Sequence, residues 1–183
     1  MGFHPDLLAR RFASGLALAA WLVAASLPIA WAAGPLPSAP PCNVRIDPQE
    51  VLKLLNAARA SSRSCGSTRM PPAPPLAWDA NLVVAAASHA EDMARRGYFD
   101  HDSPEGRAAG QRVRAAGYRW TSVGENIALG ETSAAAAVQG WLGSPAHCEN
   151  IMAADFADVG LACAQGATAN RAMHWTMVFG RKR

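Results

Sequence analysis

The sequence predicts an α+β fold, an α-β-α sandwich in which helices flank a small central antiparallel sheet. Several segments repeat apolar residues at helical spacing and begin or end at typical capping residues. Near the carboxyl end, Met173, Trp175, Met177 and Phe179 alternate with His174, Thr176 and Val178, as residues on the two faces of a strand do. No repeat of fixed period occurs, which excludes solenoids and propellers. Helices packed on a small sheet are one of the stable layered arrangements of a domain.

The amino-terminal segment, residues 1–32, is predicted to be a secretory signal peptide. Arg10 and Arg11 precede an apolar run that ends in the small-residue site AWA at residues 30–32. An uncleaved membrane anchor is the alternative, since the run is nearly long enough to span a bilayer. Pro28 and the small-residue site favour cleavage. We therefore expect a secreted or periplasmic protein with no membrane span in the mature chain.

Composition and charge limit the classes of partner. The chain is half apolar and carries a formal net charge of +3, with its arginines scattered along the sequence. Nucleic-acid binding requires a concentrated basic face, so nucleic acid is not expected as a partner. The basic run at residues 181–183 is interpreted as a solvated tail. We assign residues 33–46 to a mobile, proline-rich lead-in and residues 47–183 to one domain, expected to be a monomer.

Four cysteines in an exported chain are predicted to form two disulfides. Cys42 and Cys65 flank a predicted helix of about twelve residues, roughly 18 Å long, so a bridge between them would require both flanks to retrace the helix. Of the two remaining pairings we favour Cys65–Cys148 with Cys42–Cys163. A free, nucleophilic Cys148 beside His147 is the alternative.

Four helices are predicted from caps and apolar spacing. Asp47 is expected to cap the first, and Asp79 the second, which ends at Gly97. Ser103 is expected to cap the third, and Trp141 is the large apolar anchor of the fourth.

Two strands, ADVGLACAQ and AMHWTMVFG, are predicted to pair across GATANR. The proline-rich MPPAPPLAWD is predicted to be a loop. His89 lies on the apolar stripe of the second helix and is interpreted as a hydrogen-bonded core residue rather than a ligand.

Three segments carry residues suited to chemistry: YFDHDSPEG with His101, VGENIALG with Glu125, and WLGSPAHCENIM with His147. Together with the closing HWTMVFG, they resemble the CAP superfamily of cysteine-rich secretory proteins, antigen 5 and pathogenesis-related 1 proteins, in its bacterial form. The resemblance covers about residues 52–180. It implies an α-β-α sandwich with a central cleft lined by two histidines and two acids.

Carried over residue by residue, the resemblance places His101, Glu125 and His147 in the cleft. Ser144 stands where the animal and plant members have the second acid. That serine removes an oxygen ligand, which argues against calcium more than against zinc. Two imidazoles, a carboxylate and water could hold zinc, or Glu125 could instead orient an imidazole. A polar cleft with a purely structural role is the remaining alternative.

The neighbours of these residues are given local roles. Gly124 is expected to allow a tight turn before Glu125, and Asn126 to form a local hydrogen bond. Asp102 and Glu149 are interpreted as solvated surface acids.

We predict an extracellular binding module whose His/Glu-lined cleft takes a small apolar ligand, a lipid, a wall fragment or another envelope component, or a divalent metal such as zinc. No cofactor is required. The alternative is a hydrolase in which water, activated by a metal or a histidine, attacks an ester or peptide using His101, Glu125 and His147. No G-x-S-x-G, H-E-x-x-H or cysteine-protease signature is present, so the binding module is favoured over an enzyme. A disulfide-stapled scaffold acting through surface contacts is a third hypothesis.

Overall fold

A computed structural model describes residues 42–166 and 171–183. The predicted signal peptide, most of the lead-in and the centre of the GATANR connection lie outside these residues. At the end of the lead-in, Cys42, Val44 and Ile46 pack against the core. Among the described residues, no helix combines the length and apolar character needed to cross a membrane.

The described part of the chain forms five helices and six strands. In chain order they are α1 (Pro48–Arg59), β1 (Arg63–Cys65), β2 (Thr68–Met70), β3 (Ala77–Trp78), α2 (Ala80–Arg96), α3 (Ala109–Ala115), β4 (Trp120–Leu129), α4 (Ala134–Gly143), α5 (Pro145–Met152), β5 (Asp158–Gln165) and β6 (Met173–Lys182).

The main sheet has the strand order β3-β5-β6-β4. Strands β5 and β4 each pair antiparallel with β6, so the predicted hairpin of the last two strands is confirmed. The short edge strand β3 runs parallel to β5 and forms where the proline-rich loop ends. Strands β1 and β2 form a separate antiparallel hairpin that was not predicted from the sequence.

Helices cover both faces of this sheet, which confirms the α-β-α sandwich. Alternate residues of β6 divide between two cores. Trp175, Met177 and Phe179 pack with residues of α1, α4 and α5, whereas Val178 packs with residues of α2 and α3. Because both faces of β6 are buried, every side chain from His174 to Phe179 is withdrawn from solvent.

Two of the three helix caps that the sequence indicates are confirmed. The Asp47 carboxylate accepts a hydrogen bond from the Gln49 amide, and the Asp79 carboxylate accepts from the Asn81 and Leu82 amides. Gly97 ends α2 in the left-handed conformation, with φ 71°.

The predicted start of the third helix is wrong. Ser103 closes a tight turn instead, in which Gly106 adopts φ 77° and the Ser103 hydroxyl accepts from the Arg107 amide. A residue at positive φ cannot continue a helix, so α3 begins only at Ala109. There the Gln111 side chain accepts a hydrogen bond from the Ala108 amide.

The predicted turn at Gly124 is also wrong, because this glycine lies within β4. A Cβ atom at this position would lie 2.5 Å from Cζ of the Phe156 ring. The glycine is therefore required for close packing rather than for backbone freedom.

Both favoured disulfides are present. The Cα atoms are 5.4 Å apart in Cys42–Cys163 and 5.5 Å apart in Cys65–Cys148. Since Cys148 is bridged, the alternative of a free nucleophilic thiol is excluded.

The basic run at residues 181–183 is not a solvated tail. Arg181 and Lys182 belong to β6. Nε of Arg181 donates to the Asp155 carbonyl at 2.7 Å, and Nζ of Lys182 lies 2.9 Å from the Asp79 carboxylate. The run is therefore anchored to the sheet.

Candidate functional site

Glu125 lies at the centre of the candidate site, and each of its carboxylate oxygens has a partner. Oε1 accepts from Nδ1 of His101 at 2.9 Å, and Oε2 accepts from Nη2 of Arg112 at 2.8 Å. The Glu125 side chain is only 4% exposed. A buried carboxylate held on both sides is a rigid positioning group.

His101 is the most accessible member of the site, since its side chain is 52% exposed. The hydrogen bond to a carboxylate requires a proton on Nδ1, which leaves Nε2 for solvent or a ligand. The hydrogen bond to Glu125 raises the pKa of His101 above its usual value of 6.5. The hydrogen bond thus stabilises the imidazolium form relative to that of a free histidine.

Buried side chains hold the loop that carries His101. Nη2 of Arg112 donates to the His101 carbonyl at 2.8 Å as well as to Glu125. Nε2 of His89 donates to the Asp100 carbonyl at 2.9 Å, which confirms the core role predicted for this histidine. The same nitrogen lies 3.7 Å from Oε1 of Glu125. His89 of α2 and Arg112 of α3 therefore hold the backbone at Asp100 and His101 in place.

Arg112 is a site residue that sequence reasoning missed. It is 4% exposed, whereas Arg114, two positions later on the same short helix, is exposed. Nothing in the sequence indicates which of the two arginines is buried, because Arg112 is buried through its contact with Glu125, on a strand that was not predicted. Only the tertiary contact shows which of them pairs with Glu125.

His147 lies on α5, one turn from Ser144. Nδ1 of His147 is 3.0 Å from the Ser144 hydroxyl, which makes no side-chain capping hydrogen bond to α5. Burial lowers the pKa of His147, and the positive charge of His101 lowers it further. The pKa values of the two neighbouring imidazoles are thus shifted in opposite directions, upward for His101 and downward for His147.

Asparagine side chains and a disulfide place α5 against β4. Nδ2 of Asn126 donates to the His147 carbonyl at 3.0 Å, and Nδ2 of Asn150 donates to the Glu125 carbonyl at 3.2 Å and to Oδ1 of Asn126 at 2.9 Å. The expectation of a local Asn126 hydrogen bond is therefore wrong. The Cys65–Cys148 bridge ties the same helix to β1.

The metal hypothesis depends on which donor atoms of the site are free to bind an ion. Among residues 42–166 and 171–183, no group of three or more His, Cys, Asp or Glu side chains is arranged to hold a metal ion. Both Glu125 oxygens are engaged, so as placed the carboxylate fits the orienting role and not that of a third ligand. The set His101, Glu125 and His147 as zinc ligands stays a prediction.

Comparison with known proteins agrees with the fold and the motifs. Residues 52–179 match the profile of the cysteine-rich secretory protein family, CAP. The chain belongs to this family.

Two solved structures illustrate the likeness. An extracellular protein containing an SCP domain from Bacillus anthracis is 32% identical, with a TM-score of 0.59, and the match covers 73% of this chain and 40% of that one. An outer surface protein from Borrelia burgdorferi is 20% identical, with a TM-score of 0.57 over 76% of this chain and 98% of that one. The latter likeness concerns the fold alone.

The chain spans about half the length, or less, of the curated relatives that it matches. The uncharacterized Bacillus subtilis protein YkwD is 27% identical over 139 residues, which cover 76% of this chain and 49% of YkwD. The Bacillus subtilis membrane protein YlbC is 33% identical over 86 residues, which cover 47% of this chain and 25% of YlbC.

Proposed function

We propose that the protein is an extracellular binding protein whose ligand contacts the imidazoles of His101 and His147. The observation that carries the proposal is the double engagement of Glu125, by His101 on one oxygen and Arg112 on the other. An engaged carboxylate is poorly placed to act as a general base, but it fixes His101 for recognition.

The chemistry of the two imidazoles indicates what the ligand must offer. His101 presents Nε2 from a ring whose pKa is raised, and His147 is a neighbouring ring whose pKa is lowered. Such a pair suits hydrogen-bond acceptors such as the carboxylates, carbonyls and phosphates of wall fragments or lipid head groups.

Apolar surface next to this site supports an amphiphilic ligand. Phe99, two residues before His101, and Leu129 are each 46% exposed, although both are large and apolar. They line a cavity of about 190 Å³ together with Tyr98 and His174. An apolar part of a ligand could occupy this cavity while its polar part meets the imidazoles.

An extracellular location is supported by two observations. The amino-terminal segment has the features of a signal peptide. The Bacillus anthracis relative is described as extracellular.

The test is calorimetric titration of the mature protein, from Ala33, with three probes: soluble fragments of digested peptidoglycan, lipid vesicles and zinc chloride. The His101→Ala/His147→Ala variant is expected to lose at least tenfold in affinity for one of the first two probes, about 1.4 kcal/mol or more. The matched control is Asp102→Ala/Glu149→Ala, which removes a neighbour of each histidine and should bind as the wild type does. Equal affinity of all three proteins would contradict the proposal, and zinc binding lost only with the histidines would make the cleft a metal site.

A hydrolase is the second candidate, favoured by the contact between the Ser144 hydroxyl and Nδ1 of His147. A histidine within hydrogen-bond distance of a serine can accept its proton during attack on a carbonyl. A panel of esters and peptides separates the candidates. Turnover that Ser144→Ala abolishes would establish the hydrolase, and the binding module predicts none in the wild type.

A further inference from the structure

A shallow cavity of about 200 Å³ is lined by Arg114, Arg119, Trp120 and Arg183. We call it the basic pocket. None of these residues belongs to the candidate site around Glu125, so an inference about the pocket stands independently of the proposed function.

The fold gathers arginines that are scattered in the sequence. Arg114 is near the end of α3, Arg119 directly precedes β4, and Arg183 directly follows β6. Strand pairing aligns Trp120 with Lys182, and the Arg183 amide donates to the Arg119 carbonyl at 3.0 Å. Antiparallel pairing of β4 with β6 thus brings the last residues of the chain beside the first residues of β4.

The three arginines of the basic pocket have no acidic partner within residues 42–166 and 171–183. All three are exposed, and the lining contains no carboxylate side chain. By contrast, the neighbouring Lys182 is paired with Asp79. The pocket thus gathers three guanidinium groups with no side-chain carboxylate among its lining residues. Such a concentration attracts anions.

Trp120 gives the basic pocket a fixed wall. Its Nε1 donates to the Gly110 carbonyl at 3.2 Å, and a Cβ atom on Gly110 would lie only 2.8 Å from the indole ring. The Arg114 guanidinium lies 5.7 Å from the centroid of that ring. Stacking on a fixed indole restrains the guanidinium, so less freedom is lost when it binds a ligand.

We propose that the basic pocket binds a phosphate group, carried either by a soluble phosphorylated molecule or by the head group of an anionic lipid. Guanidinium groups pair with phosphate oxygens in a planar, two-bond geometry, which makes arginine the side chain best matched to phosphate. Several guanidinium groups around one small concavity can contact the same phosphate.

The test compares the wild type with Arg119→Gln/Arg183→Gln in two arms, at low and at physiological salt. One arm titrates soluble glycerol phosphate by calorimetry. The other measures sedimentation with vesicles of phosphatidylglycerol and phosphatidylcholine, with pure phosphatidylcholine as the neutral reference. The matched control is Arg45→Gln/Arg69→Gln, which removes the same charge from two exposed arginines outside the pocket.

We expect the pocket variant to bind anionic vesicles about twenty-five-fold more weakly than the wild type, or about fivefold for each arginine, with the control close to the wild type. If the pocket variant binds only the anionic vesicles more weakly than the wild type does, the ligand is a lipid head group. If it binds glycerol phosphate more weakly, the ligand is a soluble phosphate. An equal loss in the pocket and control variants would show a general charge effect and overturn the proposal. Absence of binding by the wild type in both arms would overturn it too.

Discussion

At the scale of single residues, the site is organised by Glu125 and not by the residues next to His101 and His147 in the sequence. The carboxylate joins His101 on the exposed side to Arg112 on the buried side. Asp102 and Glu149, although adjacent or nearly adjacent to the histidines, form no ion pair with another described residue. Proximity in the fold, rather than in sequence, decides which groups act together.

Replacing Arg112 by methionine should destabilise the protein strongly, because it leaves the buried Glu125 carboxylate without its cation. The expected loss is about 3 kcal/mol or more in the free energy of unfolding. Urea denaturation of the Arg112→Met, Glu125→Gln and double variants measures it. The double variant should be more stable than Arg112→Met alone, since the uncompensated charge is gone. Additive losses would show that the two side chains do not interact.

Acidification should lower stability between about pH 7.5 and 5.5. Burial lowers the pKa of His89, His147 and His174 below the usual 6.5. As the pH falls, the unfolded chain therefore takes up protons at these residues before the folded protein does, and the free energy of unfolding decreases. His101, whose pKa is raised, acts in the opposite direction, but it is one group against three. Urea midpoints that stay constant or rise on acidification would refute this expectation.

At the scale of elements, capping residues predicted helices well, whereas β4 was not predicted. Asp47 and Asp79 cap helices through their side chains, as a local signal in the sequence predicts, whereas Ser103 does not begin a helix. Strand β4 places the polar Glu125 and Asn126 at buried positions, so it lacks the alternation of a half-buried strand. Contacts from α3 and α5 satisfy those polar groups, and no local pattern reveals such contacts.

The close approach of Gly124 to Phe156 gives a prediction for β4. Gly124→Ala should lower the free energy of unfolding by about 1–3 kcal/mol, because its Cβ would overlap the Phe156 ring. Thermal unfolding measures the loss. Gly143→Ala, which meets no atom within 4 Å, is the control and should be near neutral. Adding Phe156→Leu to Gly124→Ala should recover part of the loss, and a full loss in the double variant would refute steric overlap as the cause.

At the scale of the whole molecule, two disulfides and a buried arginine connect the layers. Cys42–Cys163 joins the segment before α1 to β5, and Cys65–Cys148 joins β1 to α5. Arg59, fully buried on α1, donates to the carbonyls of Ile151, Ala153 and Phe156. Export predicted that the cysteines pair, and the length of α1 argued against a Cys42–Cys65 bridge. The buried arginine could not be predicted, since its partners are distant backbone carbonyls.

Removing either disulfide should destabilise the domain substantially. The bridges close loops with sequence separations of 121 and 83 residues. Loop entropy then predicts losses of about 4–5 kcal/mol each for the Cys42→Ala/Cys163→Ala and Cys65→Ala/Cys148→Ala variants. Chemical denaturation under oxidising conditions provides the measurement. The second pair should also weaken ligand binding, because it holds the helix that carries His147. Unchanged midpoints in both variants would show that the two bridges do not stabilise the domain.

Glu125 raises the pKa of His101, whereas burial and the nearby His101 lower the pKa of His147. The most direct measurement is an NMR titration of the two histidine side chains, in the wild type and in Glu125→Gln. We expect a midpoint above 6.5 for His101 and below 6.5 for His147, with the His101 midpoint falling in the variant. Equal midpoints in the wild type, or a His101 midpoint unmoved by Glu125→Gln, would contradict it.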